Sequence, residues 1–167
     1  MQLTTLKDVF IHILSDVYSA EKQLTKALST LASEAENPEL VTGFQEHLQQ
    51  TQGHIDRIDQ LVANESDIEL ISMTCAAMEG LIKEADEIIE CTEKGSVRDA
   101  ALIAAAQKVE HYEIATYGTL CTLADQLGYD DASDLLAETL EEEKETDQKL
   151  TDIAVSQINL DAEDEDE

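Results

Sequence analysis

The sequence predicts an all-α fold: a four-helix bundle with one additional helix in a long crossover connection. Apolar residues recur at alternating three- and four-residue spacing over long stretches, which is the period of one helix face. A single Pro and six Gly are too few for the many tight turns of an all-β chain. With 167 residues, 43% of them apolar, the chain can build one core of ordinary size.

Each helix has its own start and stop signals. Thr4 or Thr5 is the expected cap of a first helix from about Leu6 to Glu36, with Asp8 in its first turn. Its stripe is Leu6, Phe10, Ile13, Val17, Leu24, Leu28 and Leu31. Asn37-Pro38-Glu39 then combines a cap, a Pro at the first helical position and an acid at the positive helix end. The second helix is expected from Pro38 to about Asn64, and a third from about Glu69 to Glu93, linking the halves of the bundle. Gly95 is the expected stop and Ser96 the next cap. An Ala-rich helix follows from about Val97 to Leu127, ended by Gly128. Asp130 or Asp131 caps a last helix from about Ala132 to Asn159. The reading is one domain over 1–160, followed by a disordered acidic tail, DAEDEDE, at 161–167.

Charge and cysteine usage narrow the function classes. Lys and Arg number 10 against 38 Asp and Glu, a formal charge of −28. Such a surface repels phosphate backbones, so no nucleic acid partner is expected, while cations are attracted. Cys75, Cys91 and Cys121 are an odd, widely spaced set with no CxxC pair, which fits a reducing, cytoplasmic setting. The N-terminus lacks a signal-peptide pattern, and no apolar run reaches the roughly 20 residues of a membrane span, so no membrane association is expected.

The informative residues are polar ones inside apolar stripes. Glu21 interrupts the first helix's seam, and His54 stands in the second helix beside Ile55 and Ile58. His47 is one heptad before His54, but that stripe centres equally well on Leu48, so His47 is not included. Glu110 and Glu113 share the inward face of the fourth helix, as Glu143 and Asp147 do in the last. Each has a bland reading: a snorkelling flank acid for Glu21, a core imidazole for His54, a solvated face for the EEEKETD run. Their coincidence at mid-length on all four helices selects a metal site instead. Several buried carboxylates together are untenable without cations. Two divalent ions, iron or manganese, suit oxygen and imidazole donors. The expected ligands are Glu21, His54, Glu110, Glu113, Glu143 and Asp147. Tyr18 and Tyr117 lie within one turn of them and are expected to pack with hydrogen-bonded hydroxyls; His111 points away.

The stretches DVFIHILSDVYSAEKQL, AAMEGLIKEADEIIE, RDAALIAAAQKVEHYEIATYGTL and TLEEEKETDQKLTD resemble the bacterial YciE/YciF family of ferritin-like proteins, over nearly the whole chain. The resemblance implies a ferritin-like bundle, a cytoplasmic homodimer and a link to stress responses. Ferritin-like sites typically carry a Glu on two helices and a Glu-x-x-His pair on the other two. Here Thr51 replaces the Glu before His54, and the last helix has no His; Glu110 with Glu113 can supply the missing carboxylate. A broad apolar arc on the crossover helix, including Cys75, Met78, Leu81, Ile82, Ile88 and Ile89, also points to a homodimer. Three functions stay open: a di-metal oxidoreductase or peroxidase-like enzyme acting on peroxide or oxygen, a metal-binding protein without turnover, and a stress-associated structural dimer with a vestigial site. No nucleophile elbow, phosphate loop or HExxH motif is present.

Overall fold

The computed structural model describes residues 2–164. It contains α1 (Leu6–Glu34), α2 (Pro38–Asn64), α3 (Ala76–Cys91), α4 (Ser96–Leu127) and α5 (Asp130–Ile153). A π-helical segment, Ala154–Ile158, leads into α6 (Asn159–Asp164). Among the described residues there is no strand, and no helix is long and apolar enough to cross a membrane.

Local chemistry explains three of the helix ends. Thr5 and Asp8 form a reciprocal capping box at α1, each side chain accepting from the other's backbone N–H. The Asn37 side chain accepts from Glu39 and Leu40 N–H at α2. Gly128 ends α4 in the left-handed region, φ +79°, where a Cβ would be strained.

Elsewhere tertiary contacts move the boundaries. The crossover helix begins at Ala76, not near Glu69. The preceding segment is tied to one stripe of α1: Ser15 Oγ accepts from Ile71 N–H (2.9 Å), Ser19 Oγ accepts from Cys75 N–H (3.0 Å), and Gln23 donates to the Cys75 carbonyl (3.2 Å). These side chains take the backbone partners that another helical turn would use. Ser96 is the first residue of α4 rather than its cap, and its hydroxyl has no partner; Gly95 holds the cap position. Tyr129 precedes α5, and Asp130 and Asp131 sit in its first turn, at the positive end of the helix. The π segment adds a residue to the turn. It places Ile158, fully buried, where an uninterrupted stripe would bring Gln157. Of the expected tail, 161–164 belong to α6, and 165–167 lie outside the described residues.

The helices form a ring. α1 packs on α2, α2 on α5, α5 on α4 and α4 on α1. The crossover helix α3 covers the α1/α4 seam, burying Met78 and Ala85; it leaves the α2/α5 seam uncovered. The core is filled by Phe10, Leu14, Leu24, Phe44, Ile58, Leu102, Tyr117 and Leu120, among others. One buried acid locks the bundle end: the Asp99 carboxylate accepts from Glu36 N–H (2.9 Å) and Asn37 N–H (2.7 Å), joining the α1–α2 turn to the start of α4. Removing it strands two backbone donors, so Asp99→Ala should cost about 2 kcal/mol in a urea melt. An unchanged midpoint would show that water replaces the carboxylate at no cost.

Candidate metal centre

Five of the six residues selected from the sequence converge at mid-bundle. Glu21 from α1, His54 from α2, Glu110 and Glu113 from α4, and Glu143 from α5 are all buried. They are joined by His47, which the sequence leaves in balance with Leu48. The packing resolves the phase: His47 is 2% exposed and faces inward, whereas Leu48 is half-buried. Candidate ligand atoms form two groups, each with its members within 4.8 Å of one another. One comprises His47, Glu110, Glu113 and Glu143; the other comprises Glu21, His54 and Glu143. Glu143 belongs to both. Its Oε1 lies 3.0 Å from His54 Nδ1 and its Oε2 3.7 Å from His47 Nε2, so the carboxylate spans the two groups.

Asp147 is not brought in. Its carboxylate is partly exposed, 3.2 Å from His111 Nε2, and it accepts from the Gln107 side chain (3.3 Å). Four residues after Glu143 the helix has turned about 40° past a full turn, and that rotation carries Asp147 towards the α4 surface. His111 is exposed and outside the cluster. Tyr117 donates to Glu21 Oε1 inside the core, while Tyr18 donates to Asp59 (2.7 Å) outside it.

The polar atoms of this cluster lack partners of their own. Glu21 Oε2, His47 Nε2, Thr51 Oγ1, His54 Nδ1, Glu110 Oε2 and both oxygens of Glu113 and Glu143 are buried without a hydrogen bond. The close approaches of His47 Nε2 to Glu110 Oε1 (3.0 Å) and of His54 Nδ1 to Glu21 Oε1 (3.2 Å) are out of line for one. Orphaned polar atoms are expensive inside a protein. Atoms within 4.8 Å of one another need only small side-chain shifts to close on one ion at the usual ligand distances of about 2.0–2.3 Å. The donor set therefore fits a metal.

Burial dominates the electrostatics. It pushes the Glu110 carboxyl up to about 7 and Glu143 up to about 8. Burial and then the Glu143 and Glu21 charges hold Glu113 well above the carboxylate range. Burial alone would lower His54, but its contacts with Glu143 and Glu21 outweigh that and raise it to about 11.

Behind His54 stands a support that apolar periodicity alone does not reveal. Its Nε2–H donates to Glu142 Oε2 (2.8 Å), which turns Nδ1 towards Glu21 and Glu143. Arg57 donates to both Glu142 oxygens (2.7 and 2.9 Å) and to Thr139 Oγ1 (3.1 Å). The Arg57 bonds hold Glu142 below its ordinary value. A carboxylate behind an imidazole is the usual means of fixing a ligating His. The only trace in the sequence is Arg57 one turn after His54, on the same helix face.

Residues 5–163 match the family model described as "Domain of unknown function (DUF892)". The chain is 63% identical to protein YciF of Escherichia coli (strain K12) over 163 residues, 98% of each chain. The crystal structure of the E. coli stress protein YciF aligns with a TM-score of 0.91 at 64% identity, covering 94% of this chain and 99% of that one. YcfI from Rhodopseudomonas palustris, provisionally described as a structural protein, aligns at 0.84 and 44% identity over 90% and 95%. A Xanthomonas campestris protein at 18% identity shares the fold, with a TM-score of 0.76 over 98% and 100%. Within the YciE/YciF family, the sequence stretches quoted above lean towards YciE; the match to YciF corrects that narrower expectation.

Proposed function

The chain belongs to the DUF892 family, and on that premise we propose that it is a ferritin-like, stress-associated metal-binding protein whose bundle core holds two divalent ions. The observation that carries this reading is Glu113: fully buried, in a group of four metal-ligating side chains, with neither carboxylate oxygen hydrogen-bonded. Glu21, Glu110, Glu113 and Glu143 bring up to four negative charges into the core. Two divalent ions would balance them, and Glu143, which belongs to both groups, could contribute to holding either. Oxygen and imidazole donors without thiolate favour iron or manganese. Bound there, such ions would supply Lewis acidity and redox chemistry towards peroxide or oxygen.

The chain's own contribution is positioning. Arg57 and Glu142 hold the His54 ring with Nδ1 inward. Tyr117 occupies Glu21 Oε1 and leaves Oε2 free. Asp147 remains part of the proposal only as a neighbour whose charge is felt at Glu110. The stress association rests on the likeness to the E. coli stress protein YciF. A cytoplasmic setting is supported by three unpaired cysteines.

Elemental analysis of protein purified without chelators, or reloaded with Mn(II) or Fe(II), should find about two ions per chain. Absence of metal under every loading condition would defeat the proposal. The alternative is a structural protein with a degenerate site, favoured by the absence of both Glu-x-x-His pairs and by the structural description given to YcfI. Peroxide consumption by metal-loaded protein separates an oxidoreductase from both a passive binder and this alternative.

We also propose a homodimer, supported by the half-buried Leu81, Ile82, Ile88 and Ile89 on the outer helix α3. The charge of −28 opposes association, so added salt should favour the dimer. Light scattering that gives a monomer mass at moderate salt and micromolar protein would overturn it.

A further inference from the structure

The uncovered α2/α5 seam contains a cavity of about 220 Å³ that runs from the surface to the metal centre. Its inner end is lined by His47 and Glu110, two members of the four-residue ligand group. Beside them, Gln50 Oε1 and Thr146 Oγ1 each lie 3.4 Å from His47 Nδ1. Phe44, Leu150 and Ile153 supply an apolar wall. At the mouth, Lys149 is ion-paired with Glu46, next to Glu145.

Gly43 keeps this space open. It sits inside α2, where glycine is unfavourable compared with alanine, and its φ is not positive. A Cβ there would meet Ile153 Cδ1 at 3.7 Å and Lys149 Cε at 4.0 Å, which are ordinary contacts. Neither backbone conformation nor close packing requires glycine at this position. Its effect is to leave the cavity unfilled.

The volume holds about seven waters at about 30 Å³ each, more than an ion or a diatomic oxidant needs. The two glutamates at the mouth and the net charge oppose an anion, and the wall of Phe44, Leu150 and Ile153 offers a cation nothing in place of its hydration. We infer that this cavity binds a small uncharged organic molecule, such as an alcohol or alkyl hydroperoxide. Its polar head meets His47, Gln50 and Thr146, and its short apolar tail lies against Phe44, Leu150 and Ile153. Its role as a substrate site rests on the metal-binding reading; the binding itself does not.

The test is methyl NMR of the metal-free protein titrated with tert-butanol, and in parallel with the pivalate anion and tert-butylammonium. Tert-butanol should give saturable millimolar shifts at the Thr146, Leu150 and Ile153 methyls, and the charged probes should bind at least fivefold more weakly. Gly43→Leu should abolish those shifts, and the smaller Gly43→Ala should weaken them if the leucine variant fails to fold. No saturable shift in the wild type, shifts that survive both fillings, or equal binding of all three probes would overturn the inference. Saturable tert-butanol binding in a protein that takes up no metal would defeat the metal reading and leave the cavity standing; the converse result would do the opposite.

Discussion

Metal-free protein is expected to be more stable near pH 5.5 than near pH 8.5, by about 2–4 kcal/mol, and loading with divalent ions should reverse the order. In the folded state burial lifts the Glu110 carboxyl to about 7 and Glu143 to about 8, and it holds Glu113 well above its ordinary value. In the unfolded chain the same groups titrate near 4.5. Between these values the folded protein holds protons that the unfolded chain has released. The stabilisation is therefore complete below about 4.5 and is lost as pH rises through the folded values. His54 acts in the same direction, because its contacts with Glu143 and Glu21 hold it at about 11 against an ordinary 6.5. Its contribution fades from about 6.5 upward. Glu142 opposes them: Arg57 lowers its pKa, so its contribution is lost on acidification below the usual carboxylate range. A shift of one unit corresponds to about 1.4 kcal/mol, and because the acids share one cluster their shifts do not add independently. Metal competes with these protons for the same atoms, so metal affinity should rise with pH. Urea melts at the two pH values, with chelator and with Mn(II), measure both effects. Equal metal-free stabilities, or a higher value at pH 8.5, would show that the cluster is hydrated and titrates normally.

Glu113→Gln should weaken divalent-metal binding by at least tenfold while stabilising the metal-free bundle by about 1–3 kcal/mol at pH 7.5. The opposite signs follow from what Glu113 touches. Its oxygens are buried without hydrogen bonds, and Glu143, Glu21 and Glu110 all repel a charge there. Glutamine has nearly the same volume, carries no charge, and can donate to a neighbouring carboxylate. The gain should shrink as the pH falls, because protonating the buried acid on folding then costs less. Titration calorimetry with Mn(II) and chemical melts in chelator provide the two measurements. Lower metal-free stability with unchanged metal affinity would make Glu113 a structural hydrogen-bonding residue and remove it from the site.

The helices themselves, their caps at Thr5 and Asn37 and the stop at Gly128 follow from the sequence alone, because each depends on residues within one turn. So does the inward placement of Glu21, His54, Glu110, Glu113 and Glu143, since each stands in an apolar stripe whose direction is set by the core. Periodicity assigns a side chain's direction only to within part of a turn, and the rotation of each helix against its neighbours decides the rest. That rotation admitted His47 over Leu48 and left Asp147 beside Gln107 and His111. The late start of α3 also came from outside the segment, in the serines of α1 that hold 71 and 75. Glu142 and Arg57 meet behind His54, and Gly43 opens onto Ile153 and Lys149, only because α2 and α5 are neighbours. Those residues are about 85 to 110 positions apart in the chain, and no local periodicity reaches across that distance.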